Sequence, residues 1–285
     1  MNFFDKVLRL LGTNRVQLAW RWRRFKEGWD KKDARPAATP RVGRVGSVTW
    51  GGLIPEEFPL ISTLLVGLSV VFYFLTVKLT NDATGETGYT PSNLALVRYG
   101  AVYTPLLTEG GEWWRLVSSI FLHANGTHIL MNGLGLWTVG NAVEQHFGRA
   151  RALVVFVVAG AAGMAASVWW RPVVLVVGAS GGIFGLMGCL IAHAVRFKAT
   201  ATGRELKARF VPWLIYGLIL GFAVPGVDNA AHIGGLVAGA AVGWFLGEQR
   251  TARRVRGVWE GLAFATAVVV AASFVLAVRS PFVPG

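Results

Sequence analysis

Seven stretches of this chain contain no Asp, Glu, Lys or Arg: Phe58 to Val77, Leu116 to Val143, Ala152 to Trp170, Pro172 to Val195, Phe210 to Val227, Asn229 to Gly247 and Gly261 to Val278. Each is 18 residues or longer. At ~1.5 Å per residue, about 20 helical residues cross a hydrocarbon core of ~30 Å, so each stretch can span a bilayer. Together they occupy half of the 285 residues and leave no room for a sizeable separate soluble domain. The expected fold is therefore an all-α polytopic membrane protein. Composition agrees: 53% of residues are hydrophobic and 15% charged, against about 25% charged in an average soluble domain. A soluble enzyme, a disulfide scaffold and a secreted domain are thereby excluded. Cys189, the single cysteine, lies inside the fourth stretch and has no intramolecular disulfide partner.

A net charge of +13 raises the possibility of a nucleic-acid partner, but the basic residues sort by side. With the N-terminus cytoplasmic, the segments on that side carry 23 Lys and Arg and the opposite segments carry 5. This positive-inside split predicts seven spans, N-terminus cytoplasmic and C-terminus outside, with no need for nucleic acid. Residues 1 to about 33 repeat Phe4, Leu11, Leu18 and Phe25 every seven positions among Arg21, Arg23, Arg24 and Lys26. That pattern reads as a basic surface helix on anionic lipid or as a disordered basic tail. A Pro- and Gly-rich linker follows to Pro59. The expected parts are residues 1–57 as a cytoplasmic basic segment and linker, 58–247 as a six-helix core, and 248–285 as a basic loop, a seventh helix and an outer C-terminus. The long first outward loop, Lys78 to Arg115, carries Tyr89, Tyr103, Trp113 and Trp114, aromatics suited to the headgroup level.

Ionisable groups inside spans are functional candidates by default, because hydrocarbon penalises them. His128 and Asn132 stand at i, i+4 near the outer end of the second span. Gly178-Ala179-Ser180-Gly181-Gly182 lies towards the outer end of the fourth, and His232 in the first turns of the sixth. These three spans run in the same direction, so the groups share one level. Gly235 and Gly239 follow His232 on one face, and Gly181 and Gly185 form a matching pair beside Ser180. Small residues let helix backbones approach closely, which is the geometry a Ser–His hydrogen bond needs. A histidine can take the serine proton and return it to a leaving amine, while His128, Asn132 and free backbone N–H groups such as that of Gly181 can face a developing oxyanion.

His128-Ile-Leu-Met-Asn132, Gly178-Ala-Ser180-Gly181 and Ala231-His232-Ile-Gly-Gly235-Leu-Val-Ala-Gly239 resemble the HxxxN, GxSG and HxxGxxxG signatures of the rhomboid intramembrane serine proteases. The resemblance runs from about Phe58 to Gly247; Trp114-Arg115 matches that family's Trp-Arg pair in the first loop, and Glu144 follows the second span. It implies a six-helix core with a seventh C-terminal helix, and a Ser/His dyad, with neither cofactor nor metal, that cleaves membrane-anchored substrates near the end of their transmembrane segments. Ser180 would be the nucleophile, His232 the general base, and His128 and Asn132 the oxyanion supports. Substrate would enter beside the second and fifth spans, with Trp137 and Trp213 as gate candidates, in a prokaryotic plasma membrane. Many members carry Tyr where this chain has Phe184, which keeps a ring for His232 but lacks the hydroxyl.

Competing readings are weaker. GASG alone is also a helix-packing sequence. Gly178 to Gly182 matches the GxSxG elbow of soluble α/β-hydrolases, but that motif needs a strand-turn-helix in a soluble sheet. Asp228, four residues before His232, reads as a loop-end carboxylate facing water rather than as a third catalytic member. His193 belongs to the opposite end of the fourth span, and neither His123 nor His146 is a strong candidate. No His, Cys, Asp and Glu cluster has zinc spacing. A rhomboid-like chaperone or degradation adaptor without catalysis is the alternative function; the presence of both Ser180 and His232 weighs against it. The absence of carboxylates within the spans weighs against an ion-coupled transporter.

Overall fold

A computed structural model describes residues 58–85, 87–171, 175–246 and 253–280. The surface helix and linker expected over residues 1–57 lie outside the described residues. The first span is α1 (Leu60–Thr84). The first loop holds the short helices α2 (Asn93–Arg98), α3 (Thr104–Thr108) and α4 (Arg115–Ser118), a strand β1 (Val102–Tyr103) and a 3-10 turn. The second span is composite: α5 (Gly126–Gly135), a wide π turn over Leu136–Gly140, then α6 (Asn141–Phe147). After it come α7 (Arg149–Trp170), strand β2 (Leu175–Val176), α8 (Ser180–Arg196), α9 (Ala201–Ala223), α10 (Asn229–Phe245) and α11 (Arg253–Arg279).

Four of these helices, α1, α7, α9 and α11, are long and apolar enough to cross a membrane alone. Their outward faces carry exposed large apolar side chains such as Phe74, Phe222 and Phe264. Water would not tolerate so much contiguous apolar surface, whereas lipid accepts it. The chain is an all-α polytopic membrane protein. The helices that carry Ser180 and His232, α8 and α10, are shorter, 17 residues each, or about 26 Å of helix. The fourth uncharged stretch is thus not helical from its outer edge: β2 and an extended turn occupy its first part. Lack of charge reports the solvent, not the backbone conformation. Here Gly178, at φ 129°, ends any continuous helix before Ser180.

α8 lies at the centre, packed on α7, α9, α10 and the second span, and nearly all of its residues from Gly181 to Ala194 are buried. Glu144 holds the start of α1 from α6: its carboxylate accepts from the N–H groups of Ile61 (3.1 Å) and Ser62 (2.7 Å) and from the Ser62 hydroxyl (2.6 Å). A carboxylate there meets helix amides that otherwise lack partners and complements the helix dipole. The seventh helix does not stand apart. α11 packs on α7 and α4, and Phe274 stacks on Phe72 of α1 with centroids 3.7 Å apart.

Candidate active site

Ser180 is the first residue of α8. Its Oγ lies 2.9 Å from His232 Nε2, a hydrogen-bonding distance across two helices whose backbones nearly touch. A β-carbon on Gly235 would run into the Gly181 carbonyl, one on Gly239 into the Gly185 carbonyl, and one on Gly243 into the Cys189 carbonyl. The four glycines singled out in the sequence therefore pair as two rungs. The third rung, Cys189 with Gly243, continues the same four-residue spacing and was missed because Cys189 is not a glycine. Close approach along three turns fixes His232 relative to Ser180.

The Phe184 ring lies parallel to the His232 imidazole, 4.2 Å away and tilted by 9°. At the tip of the same ring a β-carbon at Gly217 of α9 would come within 3.0 Å of Phe184 Cζ, so α9 closes on the ring that stacks against His232. His232 is buried, and its Nδ1 has no partner among the described residues. Asp228 does not supply one. Its Oδ1 accepts from Ala231 N–H (3.1 Å), capping α10, and its Oδ2 takes the Ser167 hydroxyl and pairs with Arg171 at 2.9 Å. The expectation of a carboxylate facing water is corrected: the side chain is largely buried and fully used in tying α10 to the end of α7.

His128 and Asn132 face the turn just ahead of Ser180. A β-carbon at Gly178 would sit 2.7 Å from His128 Nε2 and 3.4 Å from Asn132 Nδ2, so only glycine lets the backbone pass both side chains. Asn125 caps α5 by accepting from His128 N–H at 2.9 Å, which sets where that helix begins. Asn132 Nδ2 is buried with no acceptor among the described residues. His123, set aside in the sequence, is also buried, with its ring edge-on to His128 at 5.0 Å. Its position in a loop gave no periodic signal that could have placed it there.

The first loop braces the same turn. Arg115 is fully buried: Nη1 donates to the carbonyls of Val97 (2.6 Å) and Ala101 (3.1 Å), and Nε to Glu112 (2.5 Å), while Trp114 covers the guanidinium at 4.5 Å. Burial holds the Arg115 pKa below the ordinary arginine value, and Glu112 opposes that shift only in part. The segment so held continues into β1, which pairs antiparallel with β2, and Gly178 N–H donates to Ser119 O at 3.0 Å. The Trp137 ring, one gate candidate, packs edge-on against Phe58 at 6.2 Å. The other, Trp213, is about half exposed on α9, and no ring contact joins the two among the described residues. His193 lies at the far end of α8, 3.2 Å from Leu246 O. Among the described residues no cluster of His, Cys, Asp or Glu could hold a metal ion.

Comparison with known proteins places the same residues in one context. The Rhomboid domain family model matches residues 110–249, which include every residue of the turn, the Ser–His pair and the glycine rungs. The chain is 36% identical over 181 residues to rhomboid protease GluP of Bacillus subtilis, a match covering 64% of this chain and 34% of that protein. It is 29% identical over 198 residues to the putative rhomboid protease YdcA of the same organism, covering 69% and 92%. With rhomboid protease AarA of Providencia stuartii it shares 29% over 202 residues, covering 62% and 69%. The chain thus spans about a third of the length of GluP but most of YdcA. With the family match lying on the very helices that carry the Ser–His pair, the chain belongs to the rhomboid family.

Proposed function

We propose that this protein is an intramembrane serine endopeptidase that cleaves transmembrane-anchored proteins near the outer membrane interface, with Ser180 as nucleophile and His232 as general base. The 2.9 Å contact between Ser180 Oγ and His232 Nε2 carries this reading. His232 Nε2 takes the hydroxyl proton as Oγ attacks the scissile carbonyl carbon, and the carbonyl electrons become an oxyanion. His128, Asn132 and the free N–H groups at the start of α8, Gly181 among them, are the donors for that charge. His232 then returns the proton to the leaving amine, and water repeats the cycle on the acyl-enzyme. Asp228 is engaged elsewhere, so the reading is a dyad without a catalytic acid. A purely structural chaperone would have no need for this Ser–His contact or for an unmet amide donor beside it.

A transmembrane substrate has to approach through lipid and unwind, because a helical peptide bond is shielded by its neighbours. The start of α8 at an extended turn supports this: Ser180 is partly accessible while the residues after it are buried. Access beside the second span and α9, with Trp137 and Trp213 as gate residues, remains part of the proposal. The proposed setting is a prokaryotic plasma membrane, and the charge asymmetry supports an orientation with the N-terminus cytoplasmic and the C-terminus outside. The decisive experiment is cleavage of a generic transmembrane substrate by the purified protein. Ser180→Ala and His232→Ala should each abolish turnover while leaving the unfolding temperature in place, and Asp228→Asn should keep measurable turnover. Wild-type cleavage by Ser180→Ala would overturn the assignment.

A further inference from the structure

At the end of the molecule away from Ser180 lies a recess of about 690 Å3, where α1 begins, α6 turns into α7, and α11 passes. His128 and Phe147 are 19 positions apart on the second span, so the recess sits about 28 Å of helix away from the proposed chemistry. Arg149, Arg151 and Arg256 line it, with Trp259. Its two carboxylates, Glu144 and Glu260, are engaged: Glu144 holds the start of α1, and Glu260 accepts from Arg256 Nε at 2.8 Å. Arg151 is buried. Its Nη1 donates to Phe147 O at 3.1 Å and its guanidinium lies 5.7 Å from the centre of the Trp259 ring.

The first turn of α7 faces the same space. α7 starts after Gly148, at φ 92°, with no side chain capping it, and Gly148, Arg149 and Ala150 all line the recess. Uncapped helix amides and the positive end of the dipole favour an anion, and guanidinium forks match phosphate oxygens. Three arginines from two helices line the recess that this helix start opens into, and the half-buried Trp259 suits the headgroup level of a bilayer. We propose that this recess binds a phosphate-bearing anion, its occupant being the phosphodiester headgroup of an acidic phospholipid, and that the seventh helix completes the site through Arg256 and Trp259. Basic pockets between membrane helices recognise such headgroups by the same chemistry.

The test uses the whole protein in nanodiscs of phosphatidylcholine with a minor fraction of phosphatidylglycerol, with retained lipid counted by native mass spectrometry. Wild type should retain phosphatidylglycerol in preference to phosphatidylcholine. R149Q/R256Q should weaken that preference by about twenty-five-fold, from roughly fivefold for each basic residue at an anionic surface. Both side chains are exposed, so the variant should fold; its unfolding temperature in pure phosphatidylcholine checks this. K198Q/K207Q removes two exposed charges outside the recess and should retain phosphatidylglycerol like wild type. Equal losses in the two double variants, or unchanged retention in R149Q/R256Q, would overturn the site. Inorganic phosphate added to pure phosphatidylcholine nanodiscs should not shift the unfolding temperature. A phosphate-induced rise that R149Q/R256Q abolishes would keep the anion site and overturn the lipid as its occupant.

Discussion

Asn132 Nδ2 is a buried donor that meets no acceptor among the described residues, a condition that costs about 1–3 kcal/mol in a folded protein. Under the proposed mechanism the missing acceptor is the oxyanion, so the cost falls on the resting protein and is recovered in the transition state. Asn132→Ala should lower kcat by on the order of a hundredfold, the effect of one lost oxyanion donor, with little change in KM. Steady-state kinetics on two unrelated substrates would check this; an unchanged kcat on both removes Asn132 from the chemistry. Phe184 instead bears on His232, the general base of that proposal. Its ring lies flat against His232, and aromatic stacking of this kind contributes about 1 kcal/mol. Phe184→Leu should therefore reduce kcat by about fivefold, whereas Phe184→Tyr should stay near wild type. A Phe184→Leu protein as fast as wild type would mean that the ring packs without positioning.

Among the helices, the contact of α8 with α10 depends on having nothing at Gly239 but hydrogen, because a β-carbon there meets the Gly185 carbonyl head on. Backbone cannot yield as a flexible side chain does. Gly239→Val should push the helices apart, lowering stability by about 1–3 kcal/mol as overpacked cores do, and a shift of His232 near 1 Å can cost about a hundredfold in rate. Thermal unfolding and turnover measured together on Gly239→Ala and Gly239→Val should show graded losses in both; full activity in the valine variant would disprove the close contact. These rungs were legible in the sequence because glycines at four-residue spacing mark a helix face whatever the fold. So were the spans, since charge exclusion follows from the solvent alone. The start of α8 was not. Its position depends on Gly178 adopting φ 129° and on β2 pairing with β1 some 70 residues earlier, and a non-local pairing leaves no mark in hydrophobic patterning. The role of Asp228 was misjudged for a related reason: its partners Ser167 and Arg171 are distant in sequence, on and just beyond α7.

Across the whole molecule, the first loop connects parts that the spans alone would leave independent. Arg115 fastens residues 97 and 101, β1 carries that order to β2 and the turn before Ser180, and Arg98, between them, reaches to the seventh helix. Arg98 Nη1 donates to the carbonyls of Ala277 (2.9 Å) and Ser280 (3.4 Å), and Nη2 to that of Val278 (3.1 Å). The Ser280 hydroxyl donates to Glu112 at 2.7 Å, so the same acidic residue that supports Arg115 also receives the end of α11. A cation serving the last carbonyls of a helix satisfies acceptors that have no partner within it and complements the dipole. Removing it should loosen α11 first and the proposed catalytic turn only indirectly. Arg98→Ala should therefore lower stability by about 2 kcal/mol, the scale of a charged hydrogen bond lost from a partly buried site. Arg98→Lys should recover only part of it, since one ammonium cannot replace the planar fork on three carbonyls. Turnover well below the unfolding temperature should stay within a few-fold of wild type, because Arg115, β1 and β2 are untouched. The measurement is a thermal melt of the three proteins in the same lipid, paired with turnover at low temperature. An unchanged melt in Arg98→Ala would show that the clamp contributes nothing. A collapse of low-temperature turnover without a shift in the melt would show instead that the seventh helix acts directly on the turn before Ser180.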